Sequence, residues 1–233
     1  MNFKPSFLPR LGSLPRLVTA LGLVSLLGAC ATKPVAPYDY TAFKASRPAS
    51  LLVLPPLNES PDVKATPAVM ATAVAPLAEA GYYVMPVSLV DETFRQNGMT
   101  TTADIHEIAP AKLRDIFGAD AAVYMRIKKY GTTYLVVGSE TRVTVEADIV
   151  DLRNGAKLWS GTATASSSEQ ANNNQAGLVG LLVKAIVEQV LATATDAGFN
   201  YGAITNQRLL SGGLLNGVLY GPRSPKYQQD GQR

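Results

Sequence analysis

The sequence predicts an α/β fold: a mixed sheet with a β-α-β-α-β start, an antiparallel meander and a long C-terminal helix, with helices covering the sheet. Three observations predict it. Leu51-Leu52-Val53-Leu54 is a short apolar run closed by Pro55-Pro56, the pattern of a strand buried on both faces. Thr141 to Val150 alternates apolar and polar residues and runs into Asp151-Leu152-Arg153-Asn154-Gly155, where Asn-Gly marks a hairpin turn. A strongly apolar helical pattern follows from about Ala176 to Thr195. Lys184, Glu188 and Gln189 interrupt it, so it packs on a core rather than spanning a bilayer.

The elements follow in order. Ala31 to Pro48, with Pro34, Pro37 and Pro48, reads as an extended tether. After the Leu51–Leu54 strand, Asn58 to Pro67 is a loop, and Thr66-Pro67 suits an N-cap and first helical position. Val69, Met70, Ala73, Val74, Leu77 and Ala78 recur at helical spacing; Pro76 should bend or shorten that helix and Gly81 ends it. Tyr82 to Pro86 is the second strand. Ser88 caps a helix to Gln96 that Asn97-Gly98 stops, and a third helical pattern runs from Ala109 to Phe117, ended by Gly118. Ala121 to Lys129 is the next strand, parallel to its predecessors through right-handed crossovers. Tyr134 to Val137 is apolar, and Lys157 to Ala165, carrying Trp159, returns from the hairpin. Ser166 to Gln175 is a polar low-complexity loop, and Asn200 to Arg233 is a glycine-rich tail.

The amino terminus has a separate logic. Met1 to Arg16 is basic, and Leu17 to Ala29 is apolar apart from Thr19 and Ser25. In a helix that run rises about 20 Å, short of the ~30 Å hydrocarbon core, so it suits a cleavable leader better than a permanent span. It closes with Leu27-Gly28-Ala29-Cys30, and Cys30 is the only cysteine. This resembles the bacterial lipobox, which implies a diacylglycerol on the Cys30 sulfur, cleavage between Ala29 and Cys30, and an acyl chain on the new amino terminus. Several acyl chains anchor a protein stably where one does not. Ala31, rather than Asp, resembles the outer-membrane default. The expected organisation is thus a leader over 1–29, a lipidated tether over 30–48, a periplasmic domain over 49–200 and a tail over 201–233.

Composition bounds the function. Hydrophobic residues make up 47% of 233 and charged residues 17%, enough apolar content for one medium globular domain. The net charge of +3 resides in the leader, where Lys4, Arg10 and Arg16 face no acid. The mature chain is neutral, which argues against a nucleic-acid partner.

Catalytic and metal constellations are thin. His106 is the only histidine, with Asp104 and Glu107 as neighbouring acids; there is no His-x-x-x-His and no cysteine pair. Asp91-Glu92 and the set Glu146, Asp148 and Asp151 are loose carboxylate clusters, and Glu146 and Asp148 alternate on a strand as on a solvated sheet face. Ser211-Gly212-Gly213-Leu214 lacks the context of a phosphate loop. Arg126, Lys128 and Lys129 either contact an anionic partner or guard a strand edge; the edge reading is preferred. Leu209, Leu210, Leu214, Leu215, Val218, Leu219 and Tyr220 either wrap the core or dock a partner, and wrapping is preferred. No catalytic residue, metal site or cofactor is expected beyond the acyl groups on Cys30.

The stretch from Ile149 to Trp159, IVDLRNGAKLW, resembles the hairpin of TolB amino-terminal and CsgG-type periplasmic domains. A nearer resemblance is to the related bacterial lipoprotein family that includes a neisserial surface antigen. It rests on the lipobox, Leu51–Ser60, Gly81–Pro86, Phe117–Ala121, the Gly155–Trp159 hairpin, and Leu219-Tyr220-Gly221-Pro222 with Pro225-Lys226-Tyr227. The resemblance implies an outer-membrane-associated lipoprotein on the periplasmic face, dimerisation among its options, no established enzymatic activity, and a CsgG-like envelope partner. Apart from the Thr141–Ala165 hairpin, no pair of ~10-residue alternating segments suggests a pore. The leading expectation is a non-enzymatic, lipid-anchored component of an envelope or export assembly. The alternative is a ligand- or peptidoglycan-binding lipoprotein that uses the Ser166–Gln175 loop and sheet edge.

Overall fold

The computed structural model describes residues 36–134, 139–171 and 196–229. The leader, the lipobox Leu27, Gly28, Ala29 and Cys30, and the helix expected over 176–195 lie outside the described residues. The chain divides into two units, Met1–Pro37 and Tyr38–Arg233; the fold below is that of the second.

Strands β1 (Ser50–Val53), β2 (Leu57–Asn58), β3 (Tyr83–Val84), β4 (Ala121–Lys129), β5 (Thr132–Tyr134), β6 (Ser139–Asp151) and β7 (Lys157–Ser166) form one mixed sheet. β1 pairs in parallel with β3 and β4, as the right-handed crossovers require. Pro55-Pro56 removes two ladder donors and interrupts this lane, which resumes as β2 against Arg126 and Ile127 of β4. From β4 onward pairing is antiparallel: β4 with β6, β5 with the far end of β6, and β7 on the other side of β6. Leu51 to Leu54 are fully buried, as their continuous apolar pattern predicts.

Helix α1 (Thr41–Ser46) precedes β1. Helices α2 (Ala65–Thr72) and α3 (Val74–Glu79) lie between β2 and β3. They are one predicted helix split at Ala73, because Pro76 cannot donate to the preceding turn. Helices α4 (Val87–Gln96), α5 (Thr102–His106) and α6 (Pro110–Phe117) connect β3 to β4. Two expected caps are not caps. Thr66 lies inside α2 and its hydroxyl donates to the Pro56 carbonyl (3.2 Å), while Ser88 lies inside α4, which begins after Pro86. Gly118, at φ 68°, closes α6, and the Asp120 carboxylate then accepts the amides of Ala49 (2.9 Å) and Ser50 (3.0 Å).

Three segments fold differently from expectation. Tyr38 to Pro48 is not an extended tether: Phe43 of α1 is buried, the Tyr38 hydroxyl accepts the Ser160 amide (3.0 Å), and the Tyr40 hydroxyl donates to the Gly217 carbonyl (2.6 Å). Aromatic anchors with distant partners outweigh the local proline signal. Ser166 is the last residue of β7 and Ser167–Ala171 forms helix α7, so the first half of the expected polar loop is ordered structure. Glu140 gathers the hydroxyls of Ser166 and Ser168 and the Arg142 guanidinium, which hold its carboxyl down at about 2.

The third is the tail, which opens with helix α8 (Ala197–Leu210) across the expected boundary at residue 200. Its glycines and asparagines read as loop, yet they face inward. A Cβ on Gly198 would meet the Tyr130 ring at 2.6 Å, and the Asn206 amide donates to the Val69 carbonyl (2.8 Å) and the Thr72 hydroxyl (2.8 Å). Past α8, Val218 and Leu219 are buried, so this part of the tail wraps the core.

The β6–β7 hairpin is tied to α1 by Asp151, 1% exposed. Its carboxylate accepts from Ser46 Oγ (2.6 Å), Arg153 Nη2 (2.6 Å) and Arg153 Nε (3.0 Å). Burial alone would raise this carboxyl, but these bonds outweigh it and hold it at about 2, below the ordinary 3.8. A folded value below the unfolded one means the contribution is complete above about pH 4 and is lost as pH falls towards 2. Asp151→Asn should therefore cost about 2 kcal/mol at pH 7. Urea midpoints of the two proteins should converge by pH 2; a constant gap across that range would refute the clasp.

Candidate functional site

The two faces of the sheet are covered unequally. Val123, Met125 and Ile127 of β4 and Val143, Val145, Ala147 and Ile149 of β6 are buried on the face packed by α2 and α8. On the opposite face α5 brings His106 against Tyr124, with ring centroids 5.3 Å apart and edge to face. Beyond it, two cross-strand rows remain polar: Arg126–Glu146–Thr162 and Tyr124–Asp148–Ser160. With Leu57 and His106 these rows line a cavity of ≈ 260 Å³.

His106 Nε2 donates to the Pro55 carbonyl (2.9 Å), which leaves Nδ1 as the basic nitrogen. Burial lowers its pKa first; the Pro55 hydrogen bond pulls the other way, and the nearby Arg126 charge lowers it further. The imidazole is therefore neutral at neutral pH. Burial also raises the Tyr124 phenol, so that group keeps its proton. The cavity offers hydroxyls, an uncharged ring and two carboxylates: a hydrogen-bonding surface for a polar partner.

Two of its three charged side chains, Arg126 and Asp148, are held in ion pairs. Glu59 meets Arg126 Nη1 at 3.1 Å and Lys128 Nζ at 2.5 Å, and these two bonds, that from Lys128 first, hold the Glu59 carboxyl below its ordinary value. Lys157 Nζ lies 3.0 Å from Asp148. The strand-edge reading is corrected for Arg126, which lies between Leu57 of β2 and Glu146 of β6, whereas Lys128 and Lys129 lie past the end of β2. Arg126 stands on the open face.

The sequence's other candidates lie elsewhere. Asp104 and Glu107 share the His106 segment but do not line the cavity. Asp91 and Glu92 pair with Arg95 along α4. Gly212 and Gly213 press their backbones on the Tyr220 ring. Among the described residues no group of three or more His, Cys, Asp or Glu could hold a metal ion. Tyr124, Ser160 and Thr162 were not singled out in the sequence. Their only signal was alternation along three strands, and register alone brings them together.

Comparison with known proteins adds four findings. Residues 38–223 match the profile of a family described as "Putative lipoprotein GNA1162-like". The "Putative lipoprotein NMB1124/NMB1162" of Neisseria meningitidis serogroup B is 49% identical over 207 residues, 89% of this chain and 95% of the relative. The crystal structure of lipoprotein GNA1162 from Neisseria meningitidis superposes with TM-score 0.51 at 52% identity, covering 63% of this chain and all of that one. The expected kinship with TolB is weak by contrast: the Acinetobacter baumannii structure matches at 14% identity and TM-score 0.28, over 57% of this chain and 24% of that one.

Proposed function

We propose a function from one premise, that the chain belongs to the GNA1162-like lipoprotein family: it is a lipid-anchored, non-enzymatic component of an envelope or export assembly. The anchor is the acylated Cys30 and the location is the periplasmic face of the outer membrane. The observation that carries the assembly role is the half-covered sheet face. Its rows of hydroxyls, with Arg126 and Asp148 held in ion pairs, suit reversible hydrogen bonding with a protein surface. Among the described residues no helix is long and apolar enough to cross a membrane, which is compatible with attachment by lipid.

The test is chemical crosslinking in intact envelopes, followed by recovery of the tagged full chain. The expected result is a species larger than the monomer, either a homodimer or a complex with another envelope protein. Thr162→Arg, which puts a long charge in the middle of the open face, should reduce that species several-fold without changing thermal stability. Recovery of monomer alone, or a crosslinked yield indifferent to Thr162→Arg, would overturn the reading.

A further inference from the structure

A second cavity, of ≈ 270 Å³, lies where the chain enters the domain and the C-terminal arm returns to it. Its body is apolar and aromatic, with Phe43, Leu219, Tyr220 and Tyr227, and Lys44 and Arg47 also line it. No Asp or Glu lines it. Neither cation has an ion-pair partner among the described residues, in contrast to Arg126 and Lys128 of the sheet face. The arm adds two more cations that rest on rings: Lys226, 5.5 Å from the Tyr220 centroid, and Arg223, 5.2 Å from that of Tyr83.

The backbone supports a built site. Arg47 (φ 47°) and Gln228 (φ 62°) are left-handed non-glycine residues, and both line this cavity. Arg47 occupies the position that closes α1, where glycine is the easiest residue. A long cation is kept there despite backbone strain. The arm is also fixed in place. The Gly221 amide donates to the Ala80 carbonyl (2.8 Å), the Arg223 amide to the Gly81 carbonyl (3.1 Å) and the Tyr82 hydroxyl to the Leu219 carbonyl (2.5 Å). A Cβ on Gly221 would meet the Gly81 oxygen at 2.6 Å, so the two backbones touch.

We propose that this cavity binds the headgroup of an anionic glycerophospholipid. Lys44 and Arg47 take the phosphate through charge-assisted hydrogen bonds, and the rings of Tyr220 and Tyr227 pack on the glycerol and the first methylenes. Placement near a bilayer rests on the anchor reading: at about 3.5 Å per residue, the segment from Cys30 to Thr41 reaches at most ~40 Å. The proposal goes beyond the assembly role, since this site uses none of the sheet-face residues.

The test is equilibrium dialysis of the detergent-solubilised full chain against dihexanoyl-phosphatidylglycerol, with dihexanoyl-phosphatidylcholine and inorganic phosphate as comparison arms. Saturable binding is expected for the first and at least about tenfold weaker binding for the other two. Arg47→Gly is the informative variant, because glycine relieves the left-handed backbone and preserves folding. It should weaken binding about tenfold with thermal stability unchanged or raised, and Lys44→Gln should do likewise. Arg126→Ala on the sheet face should have no effect. Absent saturation, equal affinity for phosphatidylcholine, or phosphate alone binding as tightly as the lipid would each overturn the proposal. The titration does not depend on acylation of Cys30, so its failure is distinguishable from failure of the anchor.

Discussion

Trp159→Ala is expected to lower the unfolding free energy by about 3–5 kcal/mol, the largest loss from any single side chain in this domain. Trp159 is the only tryptophan and is 2% exposed. Its ring lies over Gly161 so closely that a Cβ there would come within 2.4 Å of it, and Leu209 of α8 adjoins the same spot. Its indole N–H donates to the Asn216 carbonyl (2.9 Å), and the Asn216 side chain in turn accepts the Tyr38 amide (2.9 Å). One ring therefore joins β7, α8, the C-terminal arm and the entering segment. Truncation leaves a cavity and removes the hydrogen bond from the indole. Trp159→Phe keeps most of the volume and should cost roughly half as much, the lost hydrogen bond contributing about 1 kcal/mol. Far-UV circular dichroism during urea unfolding is the measurement, since tryptophan fluorescence is lost with the residue. A loss below about 1.5 kcal/mol for the alanine variant would mean that the four segments do not depend on this ring.

Cys30→Ser is expected to abolish acylation altogether. Serine offers no thiolate to accept the diacylglycerol, so under the proposed processing the leader stays on and the chain migrates as the longer form. Each acyl chain contributes about 0.8 kcal/mol per buried methylene, so the variant forfeits an attachment worth tens of kcal/mol. What remains to hold it is Leu17 to Ala29, about 10 Å too short to span. Labelled palmitate should enter the wild type and not the variant, and carbonate extraction should release the variant while the wild type requires detergent. A variant that is labelled, shortened and retained as the wild type is would refute the lipobox assignment.

Much of the fold was legible because the relevant signals are local. A double proline after four apolar residues, a strict alternation over ten residues, and glycines at helix ends each act within a few bonds, and β1, β6, α4 and α6 lie close to where those signals put them. The errors share one cause. Tyr38 to Pro48 and Asn200 to Leu210 carry loop-like composition, but their aromatic and amide groups find partners far along the chain, such as Ser160, Gly217 and Val69. The tertiary environment outweighs weak local propensity. The sheet-face site was half legible. Arg126, Glu146, Asp148 and His106 stand out singly in the sequence, and only strand register assembles them.

By itself the sequence determined the class of the protein: an α/β domain behind a short apolar run that ends at a single cysteine, with basic and acidic residues in balance beyond that cysteine. Those are properties of composition and short spacing, readable along one dimension. Only the tertiary structure decided which charges are free and which are spent. Arg126 and Lys128 meet Glu59 because β2 re-forms beside β4 after two prolines. Among the described residues Lys44 and Arg47 have no ion-pair partner, because the C-terminal arm folds tyrosines rather than carboxylates against their cavity. Coulomb attraction acts through space over a few ångströms, and residues separated by 67 or more positions become neighbours only when the chain has packed.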